Sequence, residues 1–229
     1  LHFSQLKMVL ERMQLDWEPR MEHIDFGMVR LPEGKMSTRE GKVVFLEDVL
    51  DEAARQAGEV IAEKNPGLAN AAKIAEQVGV GAVVFNDLKR ERVKDIAFTW
   101  EEVLSFEGDT GPYVQYTHAR LASIARKAAE AEEGGAEPDW NALEDAGPLV
   151  LALGRFPDVV QRAAKNAEPS ELTQYLLGLA RETNSWIAKS RVLGQEPPIT
   201  AARLLCANAC NSVLGNGLRI LGVPAPEEM

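Results

Sequence analysis

The feature that most constrains the fold is a series of helical segments that follows Gly108 with little between them. Their apolar residues recur every three or four positions, which is the spacing of an amphipathic α-helix. Glycine or proline stands in each break and the breaks are short, so consecutive helices should pack side by side as antiparallel neighbours. The pattern predicts an all-α antiparallel bundle whose helices cover residues 112–133, 140–155, 157–166, 170–192 and 201–221.

The part of the chain before Gly108 has a mixed pattern. Some of its segments have helical spacing, and short segments between them read as extended. We therefore expect two domains, residues 1–107 and residues 108–229, which meet in a glycine-containing turn. Thr99 should cap a further helix. The expected helices are 1–13, 47–64 and 70–89, and the expected extended segments are 23–31, 43–45 and 90–98.

Composition excludes a disordered, collagen-like or low-complexity protein as a description of the whole chain. Of the 229 residues, 45% are hydrophobic and 26% are charged, as in a soluble globular protein. The apolar stretch 146–154 is far shorter than the ~20 residues that span a bilayer. No secretory signal opens the chain, and since Leu1 enters what reads as the middle of a helix, we expect a piece of a longer protein. The net charge of −10 argues against diffuse binding to nucleic acid and leaves room only for a local basic surface.

Cysteine and histidine usage points away from disulfides and metal sites. Cys206 and Cys210 are the two cysteines of the chain, which suits a reducing compartment. They lie four residues apart on the last helix and are expected to fill the core. His2 and His23 have no acidic or cysteine partners at ligand spacing, so no zinc site is expected. His118 should be a structural hydrogen-bonding residue.

Residues 32–41 form the stretch with the clearest chemical pattern. Lys35 and Arg39 bracket the hydroxyls of Ser37 and Thr38 in a loop with a glycine near each end. Cations and hydroxyls on such a loop suit a polyphosphate, because its oxygens accept charge-assisted hydrogen bonds. A cation that arrives as the loop closes would stabilise a leaving pyrophosphate. The alternative interpretation is a solvated, charged surface turn.

A second candidate site lies on the helix that begins near Pro112. Tyr113 and Tyr116 share one face of this helix, and Arg120 follows one turn later. Two aromatic rings and a cation on an exposed face could stack on and pair with single-stranded RNA bases. The alternative is that the tyrosines are half-buried core residues with satisfied hydroxyl groups.

These stretches resemble a known family. Residues 35–41, Lys-Met-Ser-Thr-Arg-Glu-Gly, are similar to the Lys-Met-Ser-Lys-Ser loop of class I aminoacyl-tRNA synthetases, with Thr38 in place of the second lysine. The preceding residues 23–29 and the following residues 43–48 resemble arginyl-tRNA synthetases in particular. Residues 108–120 are similar to the entry into that family's C-terminal helical domain, and residues 213–229 resemble its C-terminus.

The resemblance implies a mainly α fold in which the remnant of a Rossmann-type catalytic domain precedes an all-α anticodon-binding domain. It implies an arginine–tRNA ligase that acts in the cytoplasm on arginine, ATP with Mg²⁺ on its phosphates, and tRNA(Arg), without a membrane, DNA or protein-bound metal. The His-Ile-Gly-His-type motif with which the family binds ATP is missing from this chain, so the chain alone should be inactive. The alternative is a free-standing helical tRNA-binding module without chemistry of its own.

The resemblance also implies which residues carry the function. Lys35 and Arg39 would be catalytic, and they would bind ATP together with Met36, Ser37 and Thr38. The expected tRNA-binding residues are Tyr113, Gln115, Tyr116, Arg120, Asn216, Arg219 and Met229.

Overall fold

The computed structural model describes residues 2–15, 20–30, 45–105 and 108–229. The fold is mainly α, as predicted, and these described ranges contain one pair of very short strands. In chain order the elements are α1 (His2–Arg12), β1 (Val29–Arg30), α2 (Leu46–Lys64), α3 (Ala71–Leu88), β2 (Ile96–Ala97), α4 (Trp100–Val103), α5 (Gly111–Glu130), a 3₁₀ helix (Trp140–Ala146), α6 (Gly147–Gly154), α7 (Phe156–Asn166), α8 (Ser170–Lys189) and α9 (Pro197–Ile220). Among these residues, no helix is long and apolar enough to cross a membrane.

Helices α2 and α3 form a hairpin around a turn at Asn65-Pro66-Gly67. The apolar stripe of α2 is buried at Ala53, Ala57 and Ile61 against α3. Gly79 of α3 lies against the backbone of Ala53, where a Cβ would come within 2.5 Å of the carbonyl oxygen. A glycine that weakens the helical pattern of α3 therefore permits the close approach of the two helices.

Strands β1 and β2 pair in parallel, with Val29 opposite Ile96. The amide of Ile96 donates to the carbonyl of Met28, and the amide of Phe98 donates to that of Arg30, both at 2.9 Å. The α2–α3 hairpin supplies the long crossover that a parallel pair needs. The extended segments predicted over 23–31 and 90–98 are thus shorter than expected, with two paired residues in each.

The C-terminal helices share one hydrophobic core. Helices α5, α8 and α9 contribute most of it, and α6 and α7 close one side. Phe85 of α3 also belongs to this core, so the bundle is continuous with the α2–α3 hairpin. The side chains buried to within 1% exposure include Leu121, Leu176, Leu177, Leu179, Leu214 and Leu218.

Prolines shift two of the expected helix boundaries. The single helix predicted over 140–155 is instead a 3₁₀ helix followed by α6, which has Pro148 in its first turn. Helix α9 begins at Pro197, although Pro197-Pro198 was expected to break the chain before Ala201. Both differences have the same physical reason. Proline has no backbone N–H, and an N–H in the first turn of a helix has no acceptor within that helix, so proline fits at the start of a helix.

The cap predicted at Thr99 does not form, whereas a cap that was not predicted forms at Thr110. Thr110 caps α5 as its hydroxyl oxygen accepts a 3.3 Å hydrogen bond from the amide of Tyr113. Thr99 occupies the corresponding position before α4, but its side chain makes no capping bond. Helix α4 has a single turn, and the expectation of a side-chain cap was wrong there.

Arg92 connects the segment before β1 to the helical bundle. Its guanidinium donates to the carbonyl of Asp25 at 2.6 Å and to that of Ala167, after α7, at 3.1 Å. It also forms an ion pair with the Asp25 carboxylate. The pKa of Asp25 is consequently held below its ordinary value, chiefly by the hydrogen bond from Arg92.

Candidate nucleic-acid interface

The predicted ATP loop lies outside the described residues. This applies to Lys35, Met36, Ser37, Thr38 and Arg39. The described chain stops at β1 on one side of this loop and resumes just before α2 on the other. The roles expected for these five residues stay predictions.

A groove of about 530 Å³ forms where α5 passes the end of α2. It contains the predicted RNA-binding residues Tyr113, Tyr116 and Arg120, together with Met229 from the end of the chain. Tyr116 is 48% exposed, which leaves its ring available for stacking. The remaining lining residues are Val60, Ile61, Lys64, Asn65 and Asn184.

Tyr113 has a different environment from Tyr116. Its ring is half-buried and packs against the bundle core. Its hydroxyl oxygen accepts a 3.2 Å hydrogen bond from the side-chain amide of Asn184 on α8. Of the two interpretations of this helix face, the exposed aromatic applies to Tyr116, and the half-buried tyrosine with a satisfied oxygen applies to Tyr113.

The end of the chain is fixed along α5 by several hydrogen bonds. The carbonyl of Pro226 lies 3.0 Å from Nδ1 of buried His118, which confirms His118 as a structural hydrogen-bonding residue. Arg126 donates to the carbonyl of Glu227 at 3.1 Å. Asn65, which follows α2, donates to the Met229 carbonyl at 3.2 Å, and Met229 packs on the α2–α3 core. Met229 is thereby held in the groove.

Gln115 differs from the expectation of an RNA contact. The side chain is fully buried. Its amide nitrogen donates to the carbonyls of Pro224 at 2.7 Å and Gln77 at 3.2 Å. A direct contact with RNA does not fit this position, because the amide joins α3, α5 and the C-terminal segment instead. The resemblance of residues 108–120 to the family suggested Gln115, but such a sequence similarity does not distinguish an exposed residue from a buried one.

Asn216 and Arg219 lie elsewhere on the bundle. Both are exposed on the last turns of α9, and a guanidinium nitrogen of Arg219 donates to the Asn216 side-chain oxygen at 2.9 Å. Neither lines the groove. The predicted tRNA-binding set is therefore divided between two surfaces.

Three polar residues of the groove were absent from the predicted set: Lys64, Asn65 and Asn184. They come from α2, its C-terminal end and α8. The distance along the chain from Asn65 or Asn184 to Tyr113 gives no local spacing that could have revealed them. Only the packing of α2 and α8 against α5 brings them together.

The cysteine pair belongs to the core. Cys206 and Cys210 are free and buried among the apolar residues of α8 and α9. A hydrogen bond with Cys210, together with burial, holds the pKa of the Cys206 thiol above its usual range. The prediction that both are apolar fillers is confirmed by this burial. In the part of the chain that the structure describes, no three His, Cys, Asp or Glu side chains are grouped to hold a metal ion.

Two families match the chain in succession. The family of class I tRNA synthetase catalytic domains of the arginine type, "tRNA synthetases class I (R), catalytic domain", matches residues 1–100. The family "DALR anticodon binding domain" matches residues 114–229, which is half of the chain.

Named relatives agree with these matches. The arginine–tRNA ligase of Oenococcus oeni is 47% identical over all of this chain, and that of Enterococcus faecalis is 46% identical. The chain spans about 40% of the length of both curated relatives.

Solved structures share the fold. The arginyl-tRNA synthetase of Thermus thermophilus matches 93% of this chain and 36% of its own, with a TM-score of 0.83 and 37% identity. That of Plasmodium falciparum matches the whole chain and 39% of its own at a TM-score of 0.75 and 20% identity, which supports the fold alone. From the order of the two family matches and these similarities, the chain belongs to the arginyl-tRNA synthetase family.

Proposed function

We propose that the protein that contains this chain is an arginine–tRNA ligase of the cytoplasm. The arginine carboxylate would attack the α-phosphorus of ATP, and the bond to pyrophosphate would break as arginyl-adenylate forms. The arginyl group would then pass to the terminal ribose of tRNA(Arg). The succession of the catalytic-domain and anticodon-domain matches and the names of the relatives support this activity.

In this proposal the loop with Lys35 and Arg39 acts on ATP. The two cations would stabilise the charge that develops on the departing pyrophosphate, and Met36, Ser37 and Thr38 would line the phosphates. Mg²⁺ would enter with the ATP phosphates as part of the substrate. Because Thr38 has no charge, Lys35 and Arg39 would be the cations that this loop supplies, and the role of the second lysine would fall to one of them or to a lysine elsewhere in the longer protein.

The groove at α5 would bind the anticodon loop. The observation that carries this proposal is that Tyr113, Tyr116, Arg120 and Met229 line one groove, although Met229 is far from the others in sequence. The exposed Tyr116 ring offers a stacking surface, and Arg120 and Lys64 supply local positive charge on an acidic protein. Asn216 and Arg219 would contact the RNA separately, at the end of α9.

We place the domain boundary of this function at residues 107/108. The two family matches leave residues 101–113 between them, which supports this position. The boundary separates roles rather than cores, because Phe85 of α3 packs with the bundle. The ATP loop and the RNA groove would thus be attached to one continuous helical framework.

Competition binding tests the RNA assignment. The full chain is titrated with tRNA(Arg) and with the same tRNA altered in the anticodon, at several salt concentrations. We expect tRNA(Arg) to bind more tightly, and Tyr116→Ala to weaken binding roughly 5- to 150-fold, since stacking is worth ~1–3 kcal/mol per base. Trp140→Ala is the matched control, because Trp140 is a 63% exposed aromatic outside the groove. Equal affinity for both tRNAs would contradict the proposal.

An activity assay, used together with these titrations, separates the enzyme from the free-standing RNA module. Both candidates predict selective tRNA binding by the chain. The longer protein should in addition catalyse arginine-dependent exchange between ATP and pyrophosphate. Selective binding without any exchange in the longer protein would favour the binding module.

A further inference from the structure

Asn184 lies at the centre of a hydrogen-bond network in the wall of the groove. Its side-chain oxygen is 3.2 Å from a guanidinium nitrogen of Arg120. Its side-chain nitrogen is 2.8 Å from the Thr117 hydroxyl oxygen and 3.2 Å from the Tyr113 hydroxyl oxygen. One residue of α8 thus contacts three residues of α5.

The orientation of the Asn184 amide is determined by its neighbours. Arg120 carries only N–H donors, so the atom that faces it must be the amide oxygen. The Thr117 hydroxyl donates its proton to the carbonyl of Tyr113 at 2.8 Å, so its oxygen is left to accept. Both contacts require the nitrogen of Asn184 to face Thr117 and Tyr113.

This orientation fixes the role of the Tyr113 hydroxyl. Its oxygen accepts from Asn184, so its own proton must be donated in another direction. Among the described residues, no acceptor is found for this proton. Because the Tyr113 side chain lines the groove, the O–H is available to a ligand there. The N–H groups of Arg120 that do not contact Asn184 are donors as well.

We infer that Asn184 is a positioning residue that makes this side of the groove a hydrogen-bond donor, so that the groove selects a nucleobase edge that presents acceptors. This inference rests on the proposed RNA-binding function. A site that donates hydrogen bonds discriminates against a base that has a donor at the same place, since two groups are then left unpaired. Asn184 itself would act through Tyr113 and Arg120.

Asn184→Asp reverses the network with little change in shape. A carboxylate keeps the contact with Arg120 but cannot donate to Tyr113, so the Tyr113 hydroxyl would turn to donate to it. The tyrosine would then present a lone pair to the groove. The base preference should change, and the groove should favour a donor where it had favoured an acceptor.

The probes are RNA hairpins that carry the anticodon loop of an arginine tRNA. In the variants, one loop cytosine is replaced by uracil or one adenine by guanine, and each exchange turns a ring-nitrogen acceptor into a donor. We expect the wild-type chain to lose about tenfold in affinity for the hairpin altered at the position that it reads. Asn184→Asp should remove or invert this ratio.

Two further variants separate positioning from charge and from folding. Ser185→Asp adds the same charge at an exposed neighbour and should weaken all hairpins alike. Tyr113→Phe keeps the ring and removes the hydroxyl, so it should reduce the wild-type ratio and cancel the effect of Asn184→Asp in the double variant. The ratio for Tyr113→Phe tests the inference even where Asn184→Asp does not fold.

The outcomes distinguish the two proposals. A wild-type chain without preference among the hairpins would overturn base reading and this inference with it. A wild-type preference that survives both Asn184→Asp and Tyr113→Phe would overturn the inference alone. Uniform weakening by Asn184→Asp, equal to that of Ser185→Asp, would also overturn it. An altered ratio that depends on the Tyr113 hydroxyl supports it.

Discussion

Helices α1 and α8 have similar amphipathic patterns but different surroundings. Helix α8 buries its apolar face in the bundle, with Leu176 and Leu177 completely inaccessible. Helix α1 buries none of its residues, and four of its large apolar side chains are 43–55% exposed, namely Phe3, Leu6, Met8 and Val9. An amphipathic pattern therefore predicts a helix in both places, while burial depends on a partner for the apolar face.

The difference in burial between α1 and α8 extends to the residues around each helix. The segment before β1 also exposes apolar side chains, with Phe26 at 84% and Met28 at 56%. Contiguous apolar exposure of this kind is typical of surfaces that contact other protein. In the bundle, by contrast, even the fully buried side chain of Gln115 donates hydrogen bonds to backbone carbonyls inside the core. The helices of the bundle bury their apolar side chains against one another, whereas α1 and the segment before β1 leave theirs exposed.

The largest expected effect tests whether chemistry and RNA binding are divided between the two regions. In the longer protein, Lys35→Ala and Arg39→Ala should each slow arginyl-adenylate formation by roughly 10²- to 10³-fold, as expected for loss of a group that stabilises developing charge. Single-turnover adenylation measures this step. Both variants should bind tRNA(Arg) almost as tightly as the wild type does. Tyr116→Ala, by contrast, should weaken binding of tRNA(Arg) and leave the rate of arginyl-adenylate formation nearly unchanged.

Thr38→Val is the matched control for these two substitutions. It removes a hydroxyl from the same loop without removing a charge, and its effect should be mild if the cations carry the stabilisation. An unchanged adenylation rate with Lys35→Ala would remove Lys35 from the mechanism.

The second prediction compares the stability of the two helices directly. Leu176→Ala should lower the free energy of unfolding by about 2–5 kcal/mol, because a buried leucine in contact with other side chains leaves a cavity. The same change at Leu6, which is 43% exposed, should cost less than about 0.5 kcal/mol. Denaturant unfolding of the chain measures both. Equal losses would refute the contrast between α1 and α8.

The smallest effect concerns acid stability. Hydrogen bonds from Arg55, and then from Gln56, lower the pKa of Glu52 on α2 from 4.5 to about 2. A carboxyl whose folded-state pKa is lowered contributes stability above its unfolded pKa and loses it as the pH falls. The unfolding free energy should therefore decline between about pH 4.5 and 2, and Glu52→Gln should make this decline less steep.

Glu63→Gln is the control on the same helix, because exposed Glu63 has no ion pair among the described residues. Glu171→Gln extends the comparison to the bundle, where Asn166 and Arg162 lower the pKa of Glu171. High salt should reduce the effect at both partly exposed sites. A pH profile that Glu52→Gln leaves unchanged would show that this ion pair does not contribute to stability.

Much of the secondary structure was predictable because its signals are local. The segments that became α2, α3, α5, α7 and α8 were located from apolar spacing and from the Gly and Pro residues beside them. The cap at Thr110 was not foreseen, and the cap expected at Thr99 is absent. The helix predicted over 140–155 runs through Pro148, which instead lies in the first turn of α6. Pro197-Pro198 was predicted to break the chain, but α9 begins there, since proline breaks a helix or begins one according to what precedes it.

The sequence by itself determined the helical content, the order of the elements, the family and the aromatic–cationic face of α5. Those features depend on residues near one another in the chain. Only the tertiary structure decided that β1 pairs with β2, that Gln115 faces inward, and that Asn184 and Met229 join Tyr113 in one groove. These relations depend on contacts between distant segments, and such contacts are fixed by the packing of whole helices rather than by local spacing.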